Sequence, residues 1–68
     1  MSRIIYLRRV KPMRYFVVDD QNRKYYILKD NYRYPWAVYK EVGNNRNGKL
    51  MSEERTYSKC KDFIRKYK

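Results

Sequence analysis

The chain contains no histidine, so it lacks the side chain most often used as a general base and as a metal ligand near neutral pH. No Ser–His–Asp or Cys–His arrangement is therefore possible. The lone cysteine, Cys60, excludes an internal disulfide and offers no metal-ligand spacing. It falls on the apolar stripe of a C-terminal helical pattern. Reactive thiols need an exposed, electropositive setting, so a packed and inert thiol is the expectation there. The carboxylates come as two adjacent pairs, Asp19-Asp20 in a polar turn and Glu53-Glu54 ahead of the helix, and both pairs have ordinary structural uses. Gly43 and Gly48 flank an asparagine-rich turn and match no phosphate-cradling loop. The chemistry implied is not enzymatic: no catalytic residue, no metal, no cofactor and no small-molecule substrate are expected.

What the residues do offer is cationic charge interleaved with aromatic rings. Eighteen Lys and Arg oppose seven Asp and Glu, for a formal charge of +11. Such a field speeds encounter with anions and draws phosphate backbones without a specific pocket. Arg3, Arg8, Arg9, Lys11 and Arg14 precede any acid in the chain. Further along, Arg23, Lys24, Lys29, Arg33, Lys40, Arg46 and Lys49 alternate with Tyr25, Tyr26, Tyr32, Tyr34, Trp36 and Tyr39. Arginine meets phosphates and base edges with a planar fork, lysine supplies a point charge, and rings stack on exposed bases. The residues expected to carry binding are Arg8, Arg9, Lys29, Arg33, Tyr39, Arg46 and Lys49.

The elements that must position these groups are short. Sixty-eight residues make one domain, spanning 1–68, near the lower limit of independent folding. Residues 3–10 and 13–18 are rich in β-branched and aromatic types and are separated by Lys11-Pro12, which reads as two strands and a connection. Asp19-Asp20-Gln21-Asn22 is turn chemistry, and residues 24–29 return as a third strand. Residues 36–42 form a fourth, with Trp36, Val38 and Val42 on one face and Ala37 and Tyr39 on the other. The Gly43–Gly48 segment then turns the chain into a short fifth strand over 49–53. Thr56 caps a helix whose apolar residues Tyr57, Cys60, Phe63, Ile64 and Tyr67 recur on one side.

The expected fold is α+β: an antiparallel sheet of four to five strands packed on one C-terminal amphipathic helix. Trp36, Val38, Phe63 and Ile64 are expected to be buried together at the seam. In strands two and three both alternating phases are apolar or aromatic, yet one helix covers one face. The sheet must therefore curl into a barrel or present its second face to a partner.

The second half of the chain resembles a known DNA-binding family. Pro35-Trp36-Ala37-Val38-Tyr39-Lys40, an Asn/Gly turn, Gly48-Lys49-Leu50 and a helix opened by Thr56 with Cys60 and Phe63 resemble the arm-type DNA-binding domain of tyrosine integrases. The plant ethylene-response-type domains are similar in outline. The resemblance covers about residues 24–68 and implies a three-stranded sheet on a C-terminal helix, with the open face entering the major groove. It implies that Lys29, Arg33, Tyr39, Arg46 and Lys49 lie on or beside that face. It carries no recombinase activity with it, and Cys60, Glu53-Glu54 in the last strand and an additional N-terminal strand depart from the family pattern.

Together these observations point to a small basic, non-enzymatic nucleic-acid-binding protein, an accessory or regulatory factor of a phage or mobile element. DNA is the expected partner, with RNA second. An inhibitor or adaptor docking a basic, Tyr-rich face on an acidic protein is the alternative. No stretch reads as a signal peptide or membrane span, so an intracellular, cytoplasmic location is expected.

Overall fold

The computed structural model describes residues 2–29, 34–43 and 45–67. Five antiparallel strands form one sheet in chain order: β1 Ile4–Lys11, β2 Arg14–Asp19, β3 Lys24–Lys29, β4 Trp36–Val42 and β5 Asn45–Glu54. The helix α1, Tyr57–Lys66, follows. The sheet is an open meander whose ends, β1 and β5, are its two edges.

Register fixes which side chains share a face, because successive residues of a strand point to opposite sides. Val17 lies opposite Tyr25, and Ile27 lies between Tyr15 and Val38 on its two neighbours. These residues make the face that α1 covers. Cys60 and Ile64 enter it from the helix, and with Val17, Tyr25, Ile27 and Val38 they form the fully buried core. Tyr15, Trp36 and Tyr57 pack ring against ring beside it, with centroids 4.4–6.3 Å apart, where the first turn of α1 docks. The helix starts because Thr56 Oγ1 accepts a hydrogen bond from the Lys59 backbone N–H, at 3.2 Å. At ten residues, α1 is neither long nor apolar enough to cross a membrane.

A buried carboxylate ties the periphery to this core. Asp19, at the end of β2, has no exposed surface. Its oxygens accept the backbone N–H groups of Gln21 and Arg23, the Arg23 Nε at 2.7 Å and the Tyr25 hydroxyl at 3.2 Å. The Arg23 guanidinium also donates to Ser2 Oγ and to the Tyr67 carbonyl, and it lies 4.9 Å from the Tyr67 ring centre. Ser2 in turn donates its N–H to the Arg65 carbonyl at 2.8 Å and its hydroxyl to the Tyr67 carbonyl at 2.9 Å. One ion pair thus joins the β2–β3 turn, the start of β1 and the end of α1. Burial pushes the Asp19 carboxyl up, but the hydrogen bonds and charge of Arg23 outweigh it and hold the group below its usual value. Burial, and then the Asp19 charge, push the Tyr25 phenol well above its ordinary range.

Several boundaries differ from those the sequence suggests. Met13 belongs to the β1–β2 turn, with φ of 63°, rather than to β2. Trp36 and Phe63 are half-buried, while Val38 and Ile64 are fully buried. Strand β5 begins at Asn45, which pairs with Val42, so the turn is shorter and the strand longer than expected. The ladder slips between Lys40 and Val42, and Val42 is exposed rather than facing the core. Gly48 is not a turn residue. It lies within β5 at φ +70°, pressed against the Lys40 carbonyl so that a Cβ there would overlap it.

Two tests follow from these constraints. Gly48→Ala should destabilise the fold by at least about 1–2 kcal/mol, since left-handed backbone and overlap both oppose a side chain. Gly43→Ala, at φ +56° with open space around it, should cost less. Comparing the two by thermal unfolding checks the β5 geometry. Asp19 ionises more readily folded than unfolded, so its contribution is present above its ordinary 3.8 and is lost as pH falls below it. Tyr25 is held neutral in the fold, so stability should also decline as pH rises past its ordinary 10.0. Asp19→Ala should cost about 3–5 kcal/mol by orphaning Arg23, and should abolish the acid limb contributed by this group. Melting temperature against pH, for both proteins, measures these effects.

Candidate nucleic-acid interface

The face away from α1 is assembled by the other phase of the strands. Phe16 on β2 faces Arg8 of β1 on one side and Tyr26 of β3 on the other. Tyr26 faces Tyr39 of β4, and Tyr39 faces Leu50 of β5. Arg8, Phe16, Tyr26, Tyr39 and Leu50 therefore form one transverse row across the whole sheet. Tyr6, opposite Val18, joins the row diagonally: its ring lies 6.2 Å from Phe16, and Phe16 lies 5.3 Å from Tyr26. Phe16, Tyr26 and Tyr39 are half-buried, whereas Tyr6 and Leu50 are exposed.

Around this row the face is apolar at its centre and cationic toward the β1–β2 side. Leu28 and Ala37 continue between Arg14 and Glu53 in the row on one side of it, and Lys24 lies opposite Val18 in the row on the other side. Lys11 pairs directly with Arg14 beside the turn. Like charges set opposite each other across a ladder are destabilising unless an anion joins them. Among the described residues the ion pairs are Arg23–Asp19 and Arg65–Asp62, neither of which involves this cluster.

The residues expected to bind do not all share this surface. Arg8 and Tyr39 are on it. Arg9 is opposite Tyr15, Lys29 is opposite Trp36, and Lys49 is opposite Lys40, which is itself paired with core Tyr25. All three therefore lie on the α1 side, and all three are exposed. Arg33 and the Arg46 side chain lie outside the described residues. Lys49 is displaced by a bulge: one residue, Met51, is inserted between the partners of Val38 and Tyr39, so Met51 packs against the core and the phase of β5 reverses beyond it. Of the rings interleaved with the cations, Tyr25 and Trp36 serve the core, and Tyr6 and Phe16 take their place on the outer face. Once Val17 and Ile27 are known to face the helix, alternation places Phe16, Tyr26 and Arg14 on the outer face.

The remaining chemistry is structural. The Cys60 thiol is fully buried and, chiefly by burial and then by the Glu54 charge, pushed up to about 12, so it stays protonated and unreactive. Asp19 is committed to its own network. Among the described residues no group of three or more His, Cys, Asp or Glu is placed to hold a metal ion. A recess of about 260 Å³ lined by Asn22, Arg23, Lys24, Lys40, Glu41 and Gly43 opens at the far ends of the β2–β3 and β4–β5 hairpins. In comparisons with known proteins, no family model, no curated protein and no solved structure matches the chain.

The face assignment is checked by chemical labelling. Tetranitromethane should nitrate Tyr6 early and leave Tyr25 unmodified until the protein unfolds, as read by peptide mass. Tyr6 is 46% exposed and Tyr25 is 0%.

Proposed function

We propose that this protein binds nucleic acid, without catalysing a reaction, through the open face of its sheet. The observation that carries the reading is the transverse row Arg8–Phe16–Tyr26–Tyr39–Leu50, flanked by Lys11, Arg14 and Lys24, on the face α1 leaves uncovered. The excess charge of +11 supports it, because such a field draws phosphate backbones and its contacts with them release condensed counterions. The opposed Lys11 and Arg14 support it further. They weaken the free sheet and are relieved when a phosphate lies between them. A non-catalytic role fits a protonated, buried thiol and a carboxylate consumed by the fold.

Binding should weaken steeply with salt, with a log–log slope of about −0.9 per neutralised phosphate on duplex DNA and about −0.7 on single strands. Replacing Arg8, Lys11 and Arg14 together by Ala should flatten the slope by about 2–3 units. Replacing Lys59 and Lys66, on exposed positions of α1 across the sheet, should change it far less. Fluorescence anisotropy over a salt series reads both. Absence of binding to duplex and single strand alike at low salt would falsify the nucleic-acid reading and leave an acidic protein as the partner to seek.

A further inference from the structure

The chemistry of the open face distinguishes between forms of nucleic acid, and this step rests on the binding reading above. A duplex shows its surroundings phosphates, sugars and the polar edges of its bases, while the base faces are hidden in the stack. Reading edges takes hydrogen-bonding side chains aimed outward. The middle of this face instead carries Phe16, Tyr26, Tyr39, Leu28 and Leu50, which are rings and aliphatic groups suited to flat apolar surfaces. Base faces are flat and apolar, and they are reachable only in unpaired strands.

The geometry also fits in scale. Neighbouring strands lie about 4.8 Å apart, so rings carried by β1 to β4 extend over roughly 14 Å, room for two or three splayed bases. Tyr6, Phe16 and Tyr26 touch one another, edge-on at 6.2 Å and tilted at 5.3 Å, and Tyr39 follows them in the strand register, so the rings are neighbours in one row rather than isolated tyrosines. Arg8 closes the row at its β1 end, and Lys11 and Arg14 lie alongside, where they can follow a backbone that runs beside stacked bases. Leu50 and Glu53 at the β5 side offer no cation, so the charged track lies toward β1 and β2.

We infer that the Tyr6–Phe16–Tyr26–Tyr39 row is a stacking platform for the bases of single-stranded nucleic acid, with Arg8, Lys11 and Arg14 holding its phosphates. The strand crosses the sheet rather than running along one β-strand, because the row itself is transverse. Specificity for sequence is low, since every base has a π face.

The test uses the full chain and three labelled probes of about ten residues each: oligo(dT), oligo(U) and a blunt mixed-sequence duplex. Both single strands should bind at least about tenfold more tightly than the duplex at equal salt. Tyr26→Leu and Tyr39→Leu keep apolar bulk on the face while removing the ring. Each should lower single-strand affinity by about tenfold and leave the salt slope unchanged, because stacking releases no counterion. Circular dichroism melts verify that these variants are folded. Tighter binding of both single strands than of the duplex, weakened in each Leu variant, supports the platform, and oligo(dU) beside oligo(U) separates the sugar from the thymine methyl group. Duplex binding as tight as single-strand binding, or unchanged affinity in the Leu variants while the Arg8/Lys11/Arg14 variant weakens, overturns the platform but keeps nucleic-acid binding. No binding of any probe removes both.

Discussion

The buried Asp19 carboxylate is the constraint on which the rest of the architecture depends. A charge with no exposed surface is tolerated only when its oxygens are saturated with donors. The donors here come from the β2–β3 turn, from Tyr25 in the core and from Arg23. Because Arg23 is held on one side by Asp19, its free nitrogen is aimed at Ser2 and at the last carbonyl of the helical segment. The helix is thereby fixed at its C-terminal end by polar bonds and at its N-terminal end by the Tyr15–Trp36–Tyr57 rings. With both ends pinned, it covers one face of the sheet and leaves the other uncovered.

Much of this was legible in the residues. Strands β3 and β4 have the limits their apolar runs imply, and Thr56 starts the helix as its type and position suggest. The C-terminal stripe does face the core, although Cys60 and Ile64 carry the burial that Phe63 only shares. What could not be read was the phase of each strand. Both phases of β2 and β3 are apolar, so composition alone does not separate Phe16 from Val17 or Tyr26 from Tyr25. Packing against the helix decides it. In sequence Asp19 looks like half of a turn pair, because nothing local reveals its link through Arg23 to Tyr67, more than forty positions away.

Bulges are the second reason. A ladder that inserts one residue reverses the facing of everything beyond it. The slip opposite Val38 and Tyr39 sends Lys49 to the helix side while keeping Leu50 beside Tyr39. Gly48 permits the next irregularity by fitting beneath the Lys40 carbonyl, where no side chain would. In the sequence the same glycine reads as turn punctuation, so its true use in the strand and the misplaced boundary of β5 have one cause.

The topology has a kinetic consequence. Every strand pairs with its neighbour in the chain, so almost all pairing can form by closing short loops, and contact order within the sheet is low. The seam where Ser2 meets Arg65 and Tyr67 is the opposite case, joining residues from the two extremes of the described chain. Loop-closure entropy disfavours forming it before the strands have gathered. Loop entropy thus favours an order in which the strands pair first and this seam closes on them. In that order the bonds of Ser2 to Arg65 and Tyr67 act on the unfolding rate more than on the folding rate, which makes this seam a lever on how long the folded state lasts.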